Sequence, residues 1–177
     1  MDDSVTAPAP APASSPEPGL AVAVIGARGR MGATVCRAVE AATGLTLVGG
    51  FDLGDELGDL GGAQVVVEFS VPSASLANVV ACVRQGVHVV VGTTGWEQAA
   101  LDTVRAELAA APPARTGGAV GVLIAPNFAL GAVLMMQFAR QAARFFESVE
   151  VVELHHPTKV DAPSGTAART AGLVAAA

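Results

Sequence analysis

Between residues 20 and 125 short apolar runs alternate with longer stretches of helical periodicity, and this alternation restricts the chain to one class of fold. Ala21–Ile25 is an apolar run bounded by Gly26, which reads as a buried strand. Arg30–Ala42 reads as a helix, Leu45–Phe51 as a second strand and Gln64–Phe69 as a third. Pro72 then opens a helix to about Gln85, with proline in the first turn, where a missing N–H costs nothing. Val87–Val91 is a fourth strand, Gly95–Ala111 a helix closed by Pro112 and Pro113, and Val120–Ala125 a fifth strand ended by Pro126. Such alternation predicts a parallel sheet with helices on both faces. One link is irregular. Asp52 to Ala63 (DLGDELGDLGGA) is too short and glycine-rich for a crossover helix, so a loop or a single turn is expected there.

After Asn127 the pattern changes. Phe128–Phe146 predicts a long helix with few charges, in which Met135, Met136, Phe138 and Phe145 look like core filling. Ser148–Leu154 predicts a strand, His155–Ser164 a loop and Gly165–Ala176 a last helix. One strand and two helices do not close a unit, so exposed edges and apolar faces would need more chain or a partner. The expected architecture is α/β: residues 20–127 form the sheet domain and residues 128–177 begin an incomplete α+β second domain. Residues 1–19 are acidic and rich in Pro, Ala and Ser, the composition of a disordered tail. They have neither the basic start nor the apolar stretch of a signal peptide, and no apolar run approaches the length of a membrane-spanning helix. A cytoplasmic location is expected. The net charge of −6 argues against nucleic acid and anionic membrane as partners, but not against an anionic small molecule held at a local cationic site. Cys36 and Cys82 lie in apolar helical stretches without metal-ligand spacing and read as buried free thiols.

Three motifs carry chemistry. GARGRMG, Gly26 to Gly32, joins the first strand to its helix, where backbone N–H groups and a helix N-terminus can face a pyrophosphate. Gly26 permits the turn, Gly29 lets the backbone approach phosphate, and Gly32 lets helix and strand pack closely. Asp52, at the end of the second strand, can accept hydrogen bonds from the adenosine ribose of a dinucleotide, which favours NAD. Arg28 and Arg30 in the same turn could neutralise a 2′-phosphate, so cofactor preference stays open. GTTG, Gly92 to Gly95, ends the fourth strand, where Thr93 and Thr94 could meet a nicotinamide ribose or carboxamide; a plain turn with Thr94 capping the next helix is the alternative. Ala125–Phe128 (APNF) stands at the equivalent end of the fifth strand and also suits a plain hinge.

The third motif is ELHHPTKVDAPSGTA, Glu153 to Ala167. His155, His156 and Lys159 lie on a loop, followed by Gly165 and Thr166 at a helix start, where small and hydroxyl residues leave N–H groups open to an anion. Imidazoles and an ammonium beside such a site suit a dicarboxylate that is protonated as it is reduced. A histidine titrates near neutral pH and can supply the proton, while a lysine can stabilise developing negative charge. Adjacent histidines point apart and only Glu153 or Asp161 could complete a ligand set, so no metal is expected. His88, inside the fourth strand, reads as structural.

These residues together resemble the 4-hydroxy-tetrahydrodipicolinate reductases (dihydrodipicolinate reductases) of the bacterial lysine and diaminopimelate pathway, from about Leu20 to the last residue. The short loop after Asp52 and the alanine-rich composition are similar to the actinobacterial branch. The resemblance implies a Rossmann domain followed by a substrate domain on an open mixed sheet, assembled as a homotetramer. It implies reduction of 4-hydroxy-tetrahydrodipicolinate to tetrahydrodipicolinate with NADH and/or NADPH. It assigns His155 as proton donor and Lys159 as second catalytic residue, with His156, Gly165 and Thr166 holding substrate carboxylates. Gly26, Ala27, Arg28, Gly29, Arg30, Met31, Asp52, Gly92, Thr93, Thr94, Ala125, Pro126, Asn127 and Phe128 would line the cofactor site. Members of the family continue with further strands of the second domain, so the resemblance also implies a C-terminally truncated chain. The alternative reading is an inactive dinucleotide-binding module. Another Rossmann dehydrogenase would have no reason to carry HHPTK followed by PSGT.

Overall fold

A computed structural model describes residues 19–125, 127–155, 157 and 162–177. The expected tail therefore lies outside the described residues, Gly19 excepted. The elements run β1 (Leu20–Ile25), α1 (Arg30–Ala41), β2 (Leu45–Phe51), β3 (Val65–Glu68), α2 (Pro72–Arg84), β4 (His88–Val91), α3 (Gln98–Ala110), β5 (Val122–Ile124), α4 (Leu130–Ala143) and α5 (Gly165–Ala175). The five strands form one parallel sheet in the order β2-β1-β3-β4-β5. The chain moves outward from β1 to β2, returns to the other side of β1 for β3, and continues away from it. Right-handed crossovers then place α1 on one face and α2 and α3 on the other. The turn of direction puts a crevice outside the C-terminal ends of β1 and β3, where ligands of open α/β sheets bind.

Burial explains the continuous apolar strands. Val22, Ala23, Val24 and Ile25 of β1 are all buried, because helices cover both faces. Ala23, Ile25, Val66, Val89 and Val91 pack with Val79, Cys82 and Val83 of α2 and Val104 of α3. Both thiols are free; Cys82 is fully buried and Cys36 only partly so. Burial, helped by the Glu68 carboxylate, pushes the Cys82 thiol up to about 12, so it stays protonated and behaves as a small apolar residue. The short link between β2 and β3 is a single 3₁₀ turn, Leu60–Gly62, as its composition predicts. Leu60 and Ala63 plug the core where a crossover helix would sit. Arg115 fastens the link from outside, donating to the carbonyls of Asp59 (3.0 Å) and Ala63 (2.9 Å). His88 is satisfied at the opposite end of the sheet from the crevice: Nδ1 accepts the Gly121 amide at 2.9 Å and Nε2 meets Thr116 Oγ1 at 2.6 Å.

The region beyond β5 departs most from the sequence reading. The long helix spans only Leu130–Ala143, not Phe128–Phe146. Ser148–Leu154 is not a strand: a strand needs a ladder partner, and among the described residues none pairs with it. Of the four residues expected as core filling only Met136 is buried, whereas Phe138 and Phe145 are 61% and 74% exposed and Met135 is also exposed. The reason is geometric. Among the described elements α4 packs chiefly against α5, and much of its remaining apolar surface stays exposed. Smaller shifts occur at α3, which starts at Gln98 rather than Gly95, and at β5, which starts at Val122 rather than Val120. No helix of the described residues is long and apolar enough to cross a membrane.

The crevice depends on two glycines. Gly26 adopts φ +82°, and a Cβ there would run into the Phe69 carbonyl and the Ser70 amide at the end of β3. A Cβ on Gly32 would be driven into the Gly26 carbonyl, so α1 can lie this close to β1 only without a side chain. Gly32→Ala is expected to lower stability by about 1–3 kcal/mol through overpacking against backbone, measured as a lower urea midpoint at unchanged slope.

Candidate active site in the crevice and along the last helix

The glycine turn is held from β2. The amides of Gly26 and Ala27 both donate to the Phe51 carbonyl, at 2.7 and 3.1 Å, and the Gly29 amide closes the turn on the Gly26 carbonyl at 3.0 Å. Gly29 is the N-cap of α1 and offers no side chain to its first amides, which stay available to an external acceptor. Asp52 stands beside the turn. Its carboxylate accepts the Arg28 amide (3.1 Å) and Arg28 Nε (2.8 Å), while Arg28 also reaches Asp55 at 3.4 Å. The opposing signals of Asp52 and Arg28 thus form one ion pair. The hydrogen bond to Asp52 and the two carboxylates raise the Arg28 guanidinium above its ordinary value. The guanidinium is exposed, so the pair is weakly held and can open for a ligand.

The second motif sits across the crevice. The Phe69 ring fills the space that a Gly92 side chain would need and stacks tilted on Phe128 at 5.2 Å. Thr93 is buried, its carbonyl accepts Trp96 Nε1 at 3.0 Å, and its hydroxyl has no partner among the described residues. Thr94 does not cap α3, whose N-cap is Glu97 without a side-chain bond. Instead Thr94 lies against Gly165, so the first turn of α5 closes the far wall of a cleft of about 680 Å³. Thr93, Trp96, Ala125 and Gly165 line it. Asn127 ties the two sides: Nδ2 donates to Thr166 Oγ1 at 2.9 Å and Oδ1 accepts the Ala129 amide at 2.8 Å.

The third motif converges on α5 from its other side. Ser164 is the N-cap, its hydroxyl accepting the Ala167 amide at 3.1 Å. Glu153 accepts the Ser164 amide on Oε1 (2.9 Å) and meets His155 Nε2 on Oε2 (2.8 Å). The bonds from Ser164 first, then from His155, hold this carboxyl down at about 2. His155, Ser164 and Thr166 share a second cavity of about 340 Å³ with Met135 and Ala139 of α4. The first turn of α5 therefore separates two cavities, with Gly165 facing one and Thr166 the other. His156, Lys159 and Pro126 lie outside the described residues.

Sequence reasoning missed Glu68. It ends β3 fully buried, with no basic partner among its hydrogen bonds. Its carboxylate accepts the Ser70 amide (3.1 Å), the Ser70 hydroxyl, Ser75 Oγ (2.7 Å) and Asn78 Nδ2 (3.3 Å). This pins the start of α2 to the end of β3, directly behind Gly26. The signal was present: an acidic residue closing the apolar run VVVEF, followed by hydroxyl and amide residues one and two helical turns on. It also passed over Glu153 as the partner of His155, weighing it only as a metal ligand.

Residues 20–128 match the family described as dihydrodipicolinate reductase, N-terminus, and residues 131–177 the family described as dihydrodipicolinate reductase, C-terminus. The chain is 58% identical over 158 residues to a 4-hydroxy-tetrahydrodipicolinate reductase of Nocardia farcinica, covering 88% of this chain and 61% of the relative. It is 57% identical over 160 residues to one of Streptomyces griseus, covering 89% of this chain and 62% of that relative. The chain thus spans about three-fifths of the length of these curated relatives. Among solved structures, the dipicolinate-bound dihydrodipicolinate reductase from Paenisporosarcina sp. TG-14 superposes with a TM-score of 0.69 at 31% identity, covering 89% of this chain and 66% of that one.

Removing the buried carboxylate leaves several donors without acceptors, so Glu68→Ala is expected to destabilise the chain by about 2–4 kcal/mol and Glu68→Gln by less, read from urea unfolding. A carboxyl held near 2 against an ordinary 4.5 contributes stability above the ordinary value and loses it as pH falls toward 2. Hydrogen-exchange protection of the Ser164 amide should fall across that window; unchanged protection would show that the Glu153 tie contributes nothing.

Proposed function

The chain belongs to the dihydrodipicolinate reductase family, and on that premise we propose that it takes part in reducing 4-hydroxy-tetrahydrodipicolinate to tetrahydrodipicolinate in lysine and diaminopimelate biosynthesis. The balanced reaction consumes one NAD(P)H and one proton and releases NAD(P)⁺ and water. One observation carries the reading: the GTTG loop and the first turn of α5 wall a single cleft, and Asn127, just after β5, holds that turn through Thr166. This arrangement sets a cofactor wall against a substrate wall.

The residues present fit a nicotinamide dinucleotide. Thr93 lines the cleft, and its buried hydroxyl has no partner among the described residues, as expected of a group completed when a ligand binds. The turn Gly26–Met31 offers uncommitted helix amides for a pyrophosphate. When bound, the reduced nicotinamide supplies the hydride. Asp52 takes the ribose hydroxyls in NADH, and Arg28 and Arg30 turn to the 2′-phosphate in NADPH, so the turn suits NADH and/or NADPH. Gly92, Thr93, Thr94, Ala125, Pro126, Asn127 and Phe128 line the nicotinamide end.

The substrate is a dicarboxylate. The dipicolinate held by the Paenisporosarcina neighbour supports that class. His156, Gly165 and Thr166 hold its carboxylates, the latter two through the first turn of α5. His155 donates the proton and Lys159 steadies the negative charge that develops. Residues 20–127 act as the dinucleotide domain and residues 128–177 as the beginning of the substrate domain, in a cytoplasmic homotetramer.

The test is oxidation of NADH and NADPH by the purified 177-residue chain, with substrate generated in place by the preceding synthase from pyruvate and aspartate semialdehyde. Substrate-dependent oxidation is expected with both cofactors. His155→Ala should depress turnover at least about 100-fold with cofactor affinity nearly unchanged, and equal loss of both would make the residue structural. Asp52→Ala should weaken NADH more than NADPH; a parallel fall would mean that Asp52 does not read the ribose.

A further inference from the structure

We propose that Glu153 is the positioning residue of His155 and that it dictates which ring nitrogen releases the proton. The inference rests on the reading of His155 as proton donor. Glu153 Oε2 lies 2.8 Å from His155 Nε2, and Oε1 accepts the Ser164 amide at 2.9 Å. The second bond matters as much as the first. Ser164 is the buried N-cap of α5, so the carboxylate is anchored to the same helix start that faces the substrate cavity. A carboxylate tied at one oxygen presents the other to the ring in a defined direction, at low conformational cost. Held down at about 2, it is ionised throughout the range in which an imidazole titrates.

An ionised acceptor at Nε2 keeps a proton on Nε2 in both charge states of the ring, as carboxylates do for other catalytic imidazoles. The proton that leaves the imidazolium is therefore the one on Nδ1. The Nδ1–H bond breaks and its electron pair stays on the ring. The proton goes to the substrate atom that gains an electron pair when hydride adds to the other end of the reduced double bond. The ring is left neutral as the Nε2–H tautomer, still donating to Glu153. Among the described residues, the other charged group lining this cavity is Glu150; α4 contributes Met135 and Ala139, and α5 contributes Thr166 and Thr170. His156, Lys159 and Asp161 follow in sequence, outside the described residues.

The experiment is ¹⁵N NMR of histidine-labelled 177-residue chain, with signals assigned by single histidine replacements. Once neutral, His155 of the unsubstituted chain should show the Nε2–H tautomer. Glu153→Gln keeps an oxygen for the Ser164 amide but turns an amide NH₂ toward Nε2, so it should move neutral His155 toward the Nδ1–H tautomer. Glu153→Asp should restore the Nε2–H form, and the tautomer of His88, at the far end of the sheet, should not change. An Nδ1–H tautomer in the unsubstituted chain overturns the proposal, as does an unchanged His155 tautomer in a folded Glu153→Gln chain. The tautomer is read without any substitution, so a variant that fails to fold leaves the proposal open to refutation. In the reductase assay Glu153→Gln should lower kcat several-fold with KM nearly unchanged, and Glu153→Asp should recover most of the loss. Neither NMR readout needs cofactor or substrate. A chain with the Nε2–H tautomer in which His155→Ala leaves turnover unchanged would retain the pairing and refute His155 as proton donor, whereas an active chain with the wrong tautomer would refute the role of Glu153 alone.

Discussion

The close approach of three backbones at Gly26 is the constraint on which the rest depends. The end of β1, the start of α1 and the end of β3 meet there without room for a single Cβ. Behind it Glu68 locks the start of α2 to β3, so the contact is held from the buried side as well. This contact fixes the crevice and leaves the first amides of α1 uncommitted. The positions of Asp52, Gly92 and Thr93 follow from it, since each ends a strand whose register is set against β1 or β3. A parallel sheet gathers such strand ends on one edge, which is how residues far apart in sequence come to share one cleft.

The sheet domain was legible because its signals are local. Strand β2 was placed to the residue, the 3₁₀ turn was anticipated, and the Gly-Pro punctuation bounded the helices to within a few positions. The resemblance carried by HHPTK and PSGTA pointed to the family that the comparisons support. What escaped was long-range. The pairing of Arg28 with Asp52 joins residues that sequence reading set against one another, because periodicity says nothing of which charges meet. Glu68 hid inside an apolar run, where a carboxylate is tolerable only through donors that arrive from the next helix. The error at Ser148–Leu154 has the same root. Its alternation fits a strand, but a strand is a relation between two segments, and no described segment supplies the second.

The two cavities along α5 lie on either side of one helical turn. Gly165 looks toward the cleft that the GTTG loop walls, and Thr166 and Ser164 look toward the cavity of Glu153 and His155. The helix start is thus a shared partition between the side of the GTTG loop and the side of Glu153 and His155. Its two ties, Asn127 to Thr166 and Glu153 to Ser164, come from opposite directions.

The uncovered face of α4 has a calorimetric consequence. Heat-capacity increments and denaturant slopes scale with the apolar surface that becomes newly wet on unfolding. Leu130, Leu134, Met135 and Phe138 of this helix are already wet in the folded chain, as are Phe145, Phe146 and Leu154 beyond it. The melting signature of the whole chain is therefore written almost entirely by the sheet and the helices that cover it. Loosening of residues 130–177 would leave little enthalpic trace, and a single sharp transition would report on the sheet domain.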